Sequence, residues 1–526
     1  MQRPATKWLT VGGLAALVWG AHFVWLRRDT RPPVWDMALH QSYALNFLPG
    51  RGGAGPGIRA GSRTGDYPPL VHWMIALCYG VFHPGPKVAV AANVPATVIL
   101  FWAVYGLALE MAGASAARWA AILAALNPYL LWMSRETTLD YWLSAWVATA
   151  LLVLLRTRGF ARRSESLALG LVAGLGLLTK WLFAAFLLFP LLYVALRERL
   201  WQKRERCVNL ADMVLVAAAV ASVWYLPNLS RLPRYFLDNA ATGAEEGEPP
   251  VLSLQSFIYY LRLLEGYQLF ALLTVIAGIA AHQVWKRKLM RDGGFLLAAS
   301  AGGWLVLTLL RTKDPRFSMP LLGPIAVISG AWVASWERAW WPRAARGALV
   351  VLLLLQAYAA NFGIAWLPEE VVLARGYQGS LSWNWNLYLQ HYFHILGRPA
   401  REDWRQAEIL RRMAADASGA GLAPALAVIP DLPRFSAANF QLYARLLGIP
   451  ARIEHPRGAG RARSALDGSD YAVMVDGDQG MAWTTAENHA LNRTLMDDTN
   501  LFRIVGVYRL PSGAAARLYA IERGKR

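Results

Sequence analysis

The stretch Ser134–Trp142 reads SRETTLDYW, and its setting decides the fold. Before it runs AARWAAILAALNPYLLWM (116–133), and after it LSAWVATALLVLL (143–155). Each run, with its flanks, is close to the ~17–25 residues that a helix needs to cross a bilayer. Arg135, Glu136 and Asp140 therefore stand between two membrane spans. Ionisable groups at such a depth are costly, and they are usually paired or functional.

The rest of the chain agrees with a membrane setting. It has 526 residues, is 56% hydrophobic and carries a formal charge of +19. That charge does not point to nucleic acid, because the Lys and Arg residues cluster in short loops between apolar runs, as orientation signals do. Two cysteines, Cys78 and Cys207, fall on opposite sides in the topology below, so no disulfide is expected between them. The N-terminus is basic and then apolar, lacks a small-residue cleavage site and ends its run in Arg27-Arg28, which reads as an uncleaved first span.

Apolar runs predict spans at 8–26, 87–110, 117–133, 140–156, 166–180, 181–197, 210–228, 266–285, 293–311, 317–336 and 346–366. This is an α-helical polytopic membrane protein with about eleven transmembrane helices. The basic loops at 156–163, 197–206, 286–292 and 337–347 then share one side with the N-terminus, the positive-inside pattern. Residues 67–85, bounded by Pro68-Pro69 and Pro84-Gly85, have a short apolar core and read as an interfacial or re-entrant helix. Counting them as a crossing would reverse every basic loop. Residues 1–366 thus form a membrane module with outer loops 27–86, 134–140, 229–265 and 311–316. Residues 367–526 form a soluble α/β domain on the outer face. Its expected elements are strands at 424–430, 451–454, 471–478, 501–510 and 515–522, and an amphipathic helix at 436–448. Asp476 and Asp478, ending the third strand, read as a solvated turn or as ligand groups at a strand's end.

The outer side collects the chemistry. Asp36 lies just past the first span, where a carboxylate serves as a general base or caps the following helix. Asp66 is a second acid of the same region or a cap for the interfacial helix. Asp140 can cap the span it opens, and Glu136 can pair with Arg135. Lys180 interrupts GLVAGLGLLTKWLFAAFLLFP at an outer turn, where lysine snorkels or holds a phosphate. Lys313 and Arg316 are basic residues on the outer side, against the positive-inside rule. An anionic ligand accounts for them, and so does pairing with Asp314 or the acidic loop 244–248.

The chain resembles the GT-C superfamily of polyprenyl-phosphate-sugar glycosyltransferases. It looks most like the branch with protein O-mannosyltransferases and the aminoarabinose transferase of lipid A. The similarity is carried by VWDMALHQSYA with Asp36, YPPLVHWMIAL (67–77), SRETTLDYWL with Asp140, GLVAGLGLLTKW with Lys180, and KDPRFSMPLLGPIAV (313–327). The resemblance implies a GT-C fold and a catalytic base at Asp36. It implies a further acid at Asp140, with Glu136 and Asp66 as additional candidates. Donor-phosphate contacts fall to Lys180, Lys313, Arg316 and Arg135. Many relatives have Asp-Glu where this chain has Asp36-Met37, so Asp66 or Glu136 would supply the second acid.

The implied function is sugar transfer, with inversion, from a polyprenyl-phosphate carrier to a lipid, glycan or protein acceptor. No nucleotide-sugar fingerprint is present, no cofactor is required, and a divalent metal is compatible but has no clustered ligand set. Composition and short loops suggest a bacterial plasma membrane, with the active site facing the periplasm. A flippase of lipid-linked sugars would predict mid-span ionisable pairs and repeated halves. An inactive scaffold would tolerate loss of Asp36.

Overall fold

The structure, a computed structural model, describes residues 4–49, 64–336, 342–378, 381–389, 391–392, 395–418, 423–456 and 464–522. In chain order its helices begin with α1 (Pro4–Arg28), α2 (Trp35–Leu45), α3 (Leu70–Val81), α4 (Asn93–Ala112), α5 (Ala114–Ala125), α6 (Pro128–Ser134) and α7 (Asp140–Arg156). Next come α8 (Arg163–Thr179), α9 (Phe183–Arg197), α10 (Arg204–Asn228), α11 (Leu232–Glu245), α12 (Leu254–Leu263) and α13 (Phe270–Arg287). The series ends with α14 (Gly293–Leu309), α15 (Leu322–Ser335), α16 (Pro342–Phe362), α17 (Gln406–Asp416), α18 (Ala437–Leu447) and α19 (Ala482–Asp497). The chain forms two compact units. The first holds Met1–Trp25, Arg59–Val71 and Val90–Arg398; the second holds Leu26–Ile58, His72–Ala89 and Pro399–Arg526.

The first unit is a helical bundle. Among the described residues, 6 helices are long and apolar enough to cross a membrane, and four shorter apolar helices accompany them. Leu9, Leu215 and Leu226 are exposed on long helices, an apolar outer surface that suits lipid rather than water. Small residues let the helices close up. In α8, Gly170 and Gly174 form a GxxxG pair, and a Cβ on Gly170 would stand 2.5 Å from the Met213 carbonyl oxygen of α10.

Residues 117–133, expected as one span, form two helices instead. The chain leaves α5 at Leu126 and restarts at Pro128, where Asn127 caps α6 by accepting from the Leu130 N–H at 2.9 Å. Helix α3 has 12 residues, ~18 Å at 1.5 Å per residue, which is short of the ~30 Å hydrocarbon core. A hairpin of β1 (Glu370–Gln378) and β2 (Leu381–Leu389) belongs to this unit.

The second unit contains a five-stranded sheet of β3 (Ala425–Val428), β4 (Arg452–Glu454), β5 (Tyr471–Val475), β6 (Phe502–Arg509) and β7 (Ala515–Ile521). Its order is β4-β3-β5-β7-β6. The first three strands are parallel, and β7 and β6 add antiparallel. Helix α18 starts with a Ser436/Asn439 capping box and stops at Gly448, in the left-handed region at φ 67°. One sheet face packs with α17 and α18 through Leu410, Phe440, Leu426 and Val473. The other packs with α19 through Leu491, Leu495, Ala472 and Met474.

Helix α2 is also part of this unit and lies against α18. Polar contacts fasten it and its approach. The Trp35 N–H donates to the Pro433 carbonyl at 3.0 Å, Asn439 Nδ2 to the Pro33 carbonyl at 2.6 Å, and Arg445 Nη1 to the Ser42 carbonyl at 2.6 Å. Both cysteines are free and half-buried.

Candidate active site

The opening stretch SRETTLDYW becomes the end of α6, a short turn, and the start of α7. Asp140 is the first residue of α7, while Leu139 holds the N-cap position and makes no side-chain cap. The Asp140 carboxylate instead accepts from Lys180 Nζ at 2.7 Å. Lys180 follows the last residue of α8 in an extended conformation. Asp140 is 2% and Lys180 8% exposed, so the pair is buried. Such a pair holds its geometry because either charge alone would be strongly unfavourable there. The Lys180 ammonium also lies 4.2 Å from the centre of the Phe317 ring, a cation–π contact that leaves one face of the cation on an aromatic surface.

Arg135 is buried, donates to Asn361 Oδ1, and stacks its guanidinium 4.3 Å from the Trp25 ring centre. Glu136 is half-buried, and its backbone carbonyl accepts from Asn93 Nδ2 at 2.7 Å. Next to it, His22 and Ser134 Oγ are 2.6 Å apart. Asp66 sits in a turn before α3, half exposed, with Arg231 at 3.6 Å.

The segment 311–316 carries its cations differently. Lys313 is buried, and its ammonium donates to the carbonyls of Leu307, Thr308 and Leu310 at 3.0, 3.0 and 2.7 Å. It caps the C-terminus of α14, where orphan carbonyls and the helix dipole favour a cation. All three of its N–H bonds are thereby engaged, so its charge, and not a further hydrogen bond, is what it offers a ligand. Burial lowers the ammonium to about 8, with Glu248 acting to raise it and Arg311 to lower it. Burial pushes the Glu248 carboxyl up to about 7, helped by Glu246 and Asp314 and opposed by Lys313 and Arg311. The two groups attract each other, yet burial prevails in both. Arg316 forms a fork with Asp314, Nε lying 2.9 and 3.0 Å from the two carboxylate oxygens.

Several polar residues that sequence reasoning passed over support this region. Gln268 Nε2 donates to the Pro315 carbonyl at 2.6 Å, and Asn127 Nδ2 donates to the Gln268 carbonyl at 2.9 Å. Gln268 lies in a widened helical turn, Leu264–Leu269, and Phe270 follows at φ 55°. Such turns and such backbone angles recur at functional sites. Only the charge break at 311–316 and the Pro315 signal mark the neighbourhood in the sequence.

Asp36 belongs to the second unit. It is the second residue of α2 and half-buried; Val34 is the N-cap, so Asp36 is not a cap. A carboxylate in a first helical turn complements the helix dipole. Its helix is held by the contacts to Pro433, Asn439 and Arg445 described above. Two buried histidines, His40 of α2 and His72 of α3, meet at 3.0 Å between Nδ1 and Nε2. No group of three or more His, Cys, Asp or Glu among the described residues could hold a metal ion.

The family profile described as dolichyl-phosphate-mannose-protein mannosyltransferase matches residues 66–226. That range contains Asp66, Arg135, Glu136, Asp140 and Lys180, and excludes Asp36, Lys313 and Arg316. An undecaprenyl phosphate-alpha-4-amino-4-deoxy-L-arabinose arabinosyl transferase of Pseudomonas fluorescens is 31% identical over 301 residues, 51% of this chain and 50% of the relative. The chain thus spans about half the length of the curated relatives it matches. Among solved structures, ArnT from Cupriavidus metallidurans in the apo state matches with a TM-score of 0.61 at 17% identity, covering 98% of both chains. The same protein bound to undecaprenyl phosphate matches at 0.57 and 15% identity, again covering 98% of both.

Proposed function

We propose that the chain is a member of the GT-C superfamily of glycosyltransferases, in the ArnT-like branch, and that it moves a sugar from a polyprenyl-phosphate carrier to an acceptor on the outer face of a bacterial plasma membrane. The observation that carries this is the buried Asp140–Lys180 pair, set at the ends of two helices within the matched segment 66–226. Membrane proteins tolerate such a pair where it serves a site. Its position at helix ends, and not in mid-span, favours chemistry at the membrane surface over a transport path.

In this reading the acceptor is a hydroxyl of a lipid, glycan or protein. Asp36 takes its proton while the oxygen attacks the anomeric carbon. The bond from that carbon to the phosphate oxygen breaks, the configuration inverts, and the lipid phosphate leaves with its electron pair. Lys180, Arg316 and Arg135 stabilise the developing phosphate charge, and Lys313 adds a fixed charge from its helix cap. Asp140 holds the Lys180 ammonium in place, while Glu136 and Asp66 complete the acidic set. Residues 1–366 act as the membrane module, and 367–526 lie on the periplasmic side.

The test uses the purified full chain in nanodiscs with synthetic undecaprenyl-phosphate sugars and an envelope extract as acceptor source. Mass spectrometry follows free undecaprenyl phosphate. Acceptor-dependent release is the expected result. No release across pentose and hexose donors would overturn the proposal.

A further inference from the structure

Helix α2, which carries Asp36, cannot set its own place. It has 11 residues, and isolated helices shorter than ~12–15 are marginal in water. Its N-cap, Val34, makes no side-chain cap bond. What fixes Asp36 in space is therefore what grips α2 from outside. Within the second unit that grip comes from α18 and from the segment that leads into it.

The grip begins before the helix. Pro32 and Pro33 lock their own φ angles and stiffen the approach. Both of their carbonyls accept from the α18 side, Pro32 from Arg434 Nη1 and Pro33 from Asn439 Nδ2 at 2.6 Å. Trp35 donates its backbone N–H to the Pro433 carbonyl and its indole N–H to Asp431 Oδ1, both at 3.0 Å. Asp36 follows directly. At the other end of α2 the Asn46 N–H bonds to the Tyr43 carbonyl at 3.0 Å, which tightens the last turn. Arg445 there spans the Ser42 carbonyl, at 2.6 Å, and Asn46 Oδ1. Asn439 thus holds the entry of α2 and Arg445 its exit, from points roughly 9 Å apart along α18 at 1.5 Å per residue. Two fixed points set both the axial position of a helix and its rotation. Rotation decides where the Asp36 carboxylate points.

Asn439 separates this grip from ordinary capping. It stands at N3 of the α18 capping box, and its Oδ1 accepts from the Ser436 N–H and Oγ, each at 2.9 Å. Glu or Gln is the usual residue at N3. An amide whose oxygen is committed to the cap turns its NH2 the other way, and here the NH2 meets the Pro33 carbonyl. An acid at this position would cap α18 and give α2 no donor.

We propose that Asn439 and Arg445 of the soluble unit are positioning residues for Asp36, acting through the helix that presents it. The proposal rests on the reading of Asp36 as the base. A misplacement of ~1 Å at a reacting group costs about a hundredfold in rate.

The test measures transfer from a synthetic undecaprenyl-phosphate sugar by the full chain in nanodiscs, with hydrogen exchange alongside. Asn439→Asp keeps the cap acceptor and removes the donor to Pro33. It should lower kcat ~10–100-fold and leave the donor KM within about twofold. Exchange across α2 should speed up while β3 and β5 exchange as in the parent, which shows that the unit is folded. In an Asp36→Asn background the same substitution should change the residual rate by less than about twofold, because no base is left to position. Arg445→Lys, which keeps the charge without the fork, should fall between the parent and Arg445→Met in kcat. Should Asn439→Asp not fold, Arg445→Met in the two backgrounds makes the same comparison. An equal fall in both backgrounds would mark a general loss of structure and overturn the proposal. A parental kcat in Asn439→Asp, or unchanged exchange across α2, would also overturn it while leaving Asp36 as the base. A parental rate in Asp36→Asn would instead overturn the reading of the base, and the positioning role with it.

Discussion

Replacing Lys180 with Met should strongly destabilise the helical bundle, and the structure sets the scale. The Lys180 ammonium lies 2.7 Å from the Asp140 carboxylate, with side chains 10% and 2% exposed. At an effective dielectric of ~20 the gross attraction is ~6 kcal/mol. Desolvation of both ions offsets much of that in the intact pair. Once Lys180 is gone, the carboxylate remains buried without its partner, a loss of ~3–5 kcal/mol. Asp140→Asn should cost about as much, since it leaves the buried ammonium on the Phe317 ring without its carboxylate partner. The double variant Asp140→Asn/Lys180→Met removes both charges and should be more stable than either single variant. Unfolding in mixed micelles of rising SDS content measures all four proteins of this cycle. A coupling of several kcal/mol is expected. Single variants within ~0.5 kcal/mol of the parent, or strictly additive effects, would refute the description of the pair as buried and mutually dependent.

Other outcomes follow from single features. The folded state binds the Glu248 proton more tightly than the unfolded state does, so stability falls as pH rises from its ordinary value of 4.5 to about 7 and is flat on either side. Glu248→Gln should flatten that slope in a series of thermal midpoints. Gly170→Val would push a side chain against the Met213 carbonyl and should cost ~1–3 kcal/mol in the same micelle titration. Arg445→Met removes the donors to the Ser42 carbonyl and to Asn46, and should raise hydrogen exchange across α2 with a loss of ~1.5–3 kcal/mol.

Much of the bundle is legible in the sequence because apolar run length and loop composition act locally. Helices α7 to α10 and α14 to α16 fall where their apolar runs do. The exception at 117–133 has a local cause as well, the Asn127-Pro128 pair, which breaks a helix by capping and by a missing N–H. Strands β3 to β7 were also readable, from short β-branched runs and the Pro511-Ser512-Gly513 turn, with Gly513 at φ 87°. The site was less legible. Asp140 and Lys180 each stand out at a helix end, but nothing in the spacing says that they pair. The engagement of Lys313 with three carbonyls depends on how α14 ends, which composition does not encode. The union of α2 with α18 rests on Asn439 and Arg445 reaching carbonyls some four hundred residues away in sequence. Side chains bonded to backbone carbonyls leave no pattern, since every residue carries the acceptor.

The most direct test of the account is transfer of radiolabelled sugar from a synthetic polyprenyl-phosphate donor to envelope fractions, by the parent chain and by Asp36→Asn side by side. The account predicts label on an acceptor with the parent, and a rate ~10²–10⁴-fold lower with Asp36→Asn, the range of general base catalysis. Equal transfer by the two proteins would contradict it.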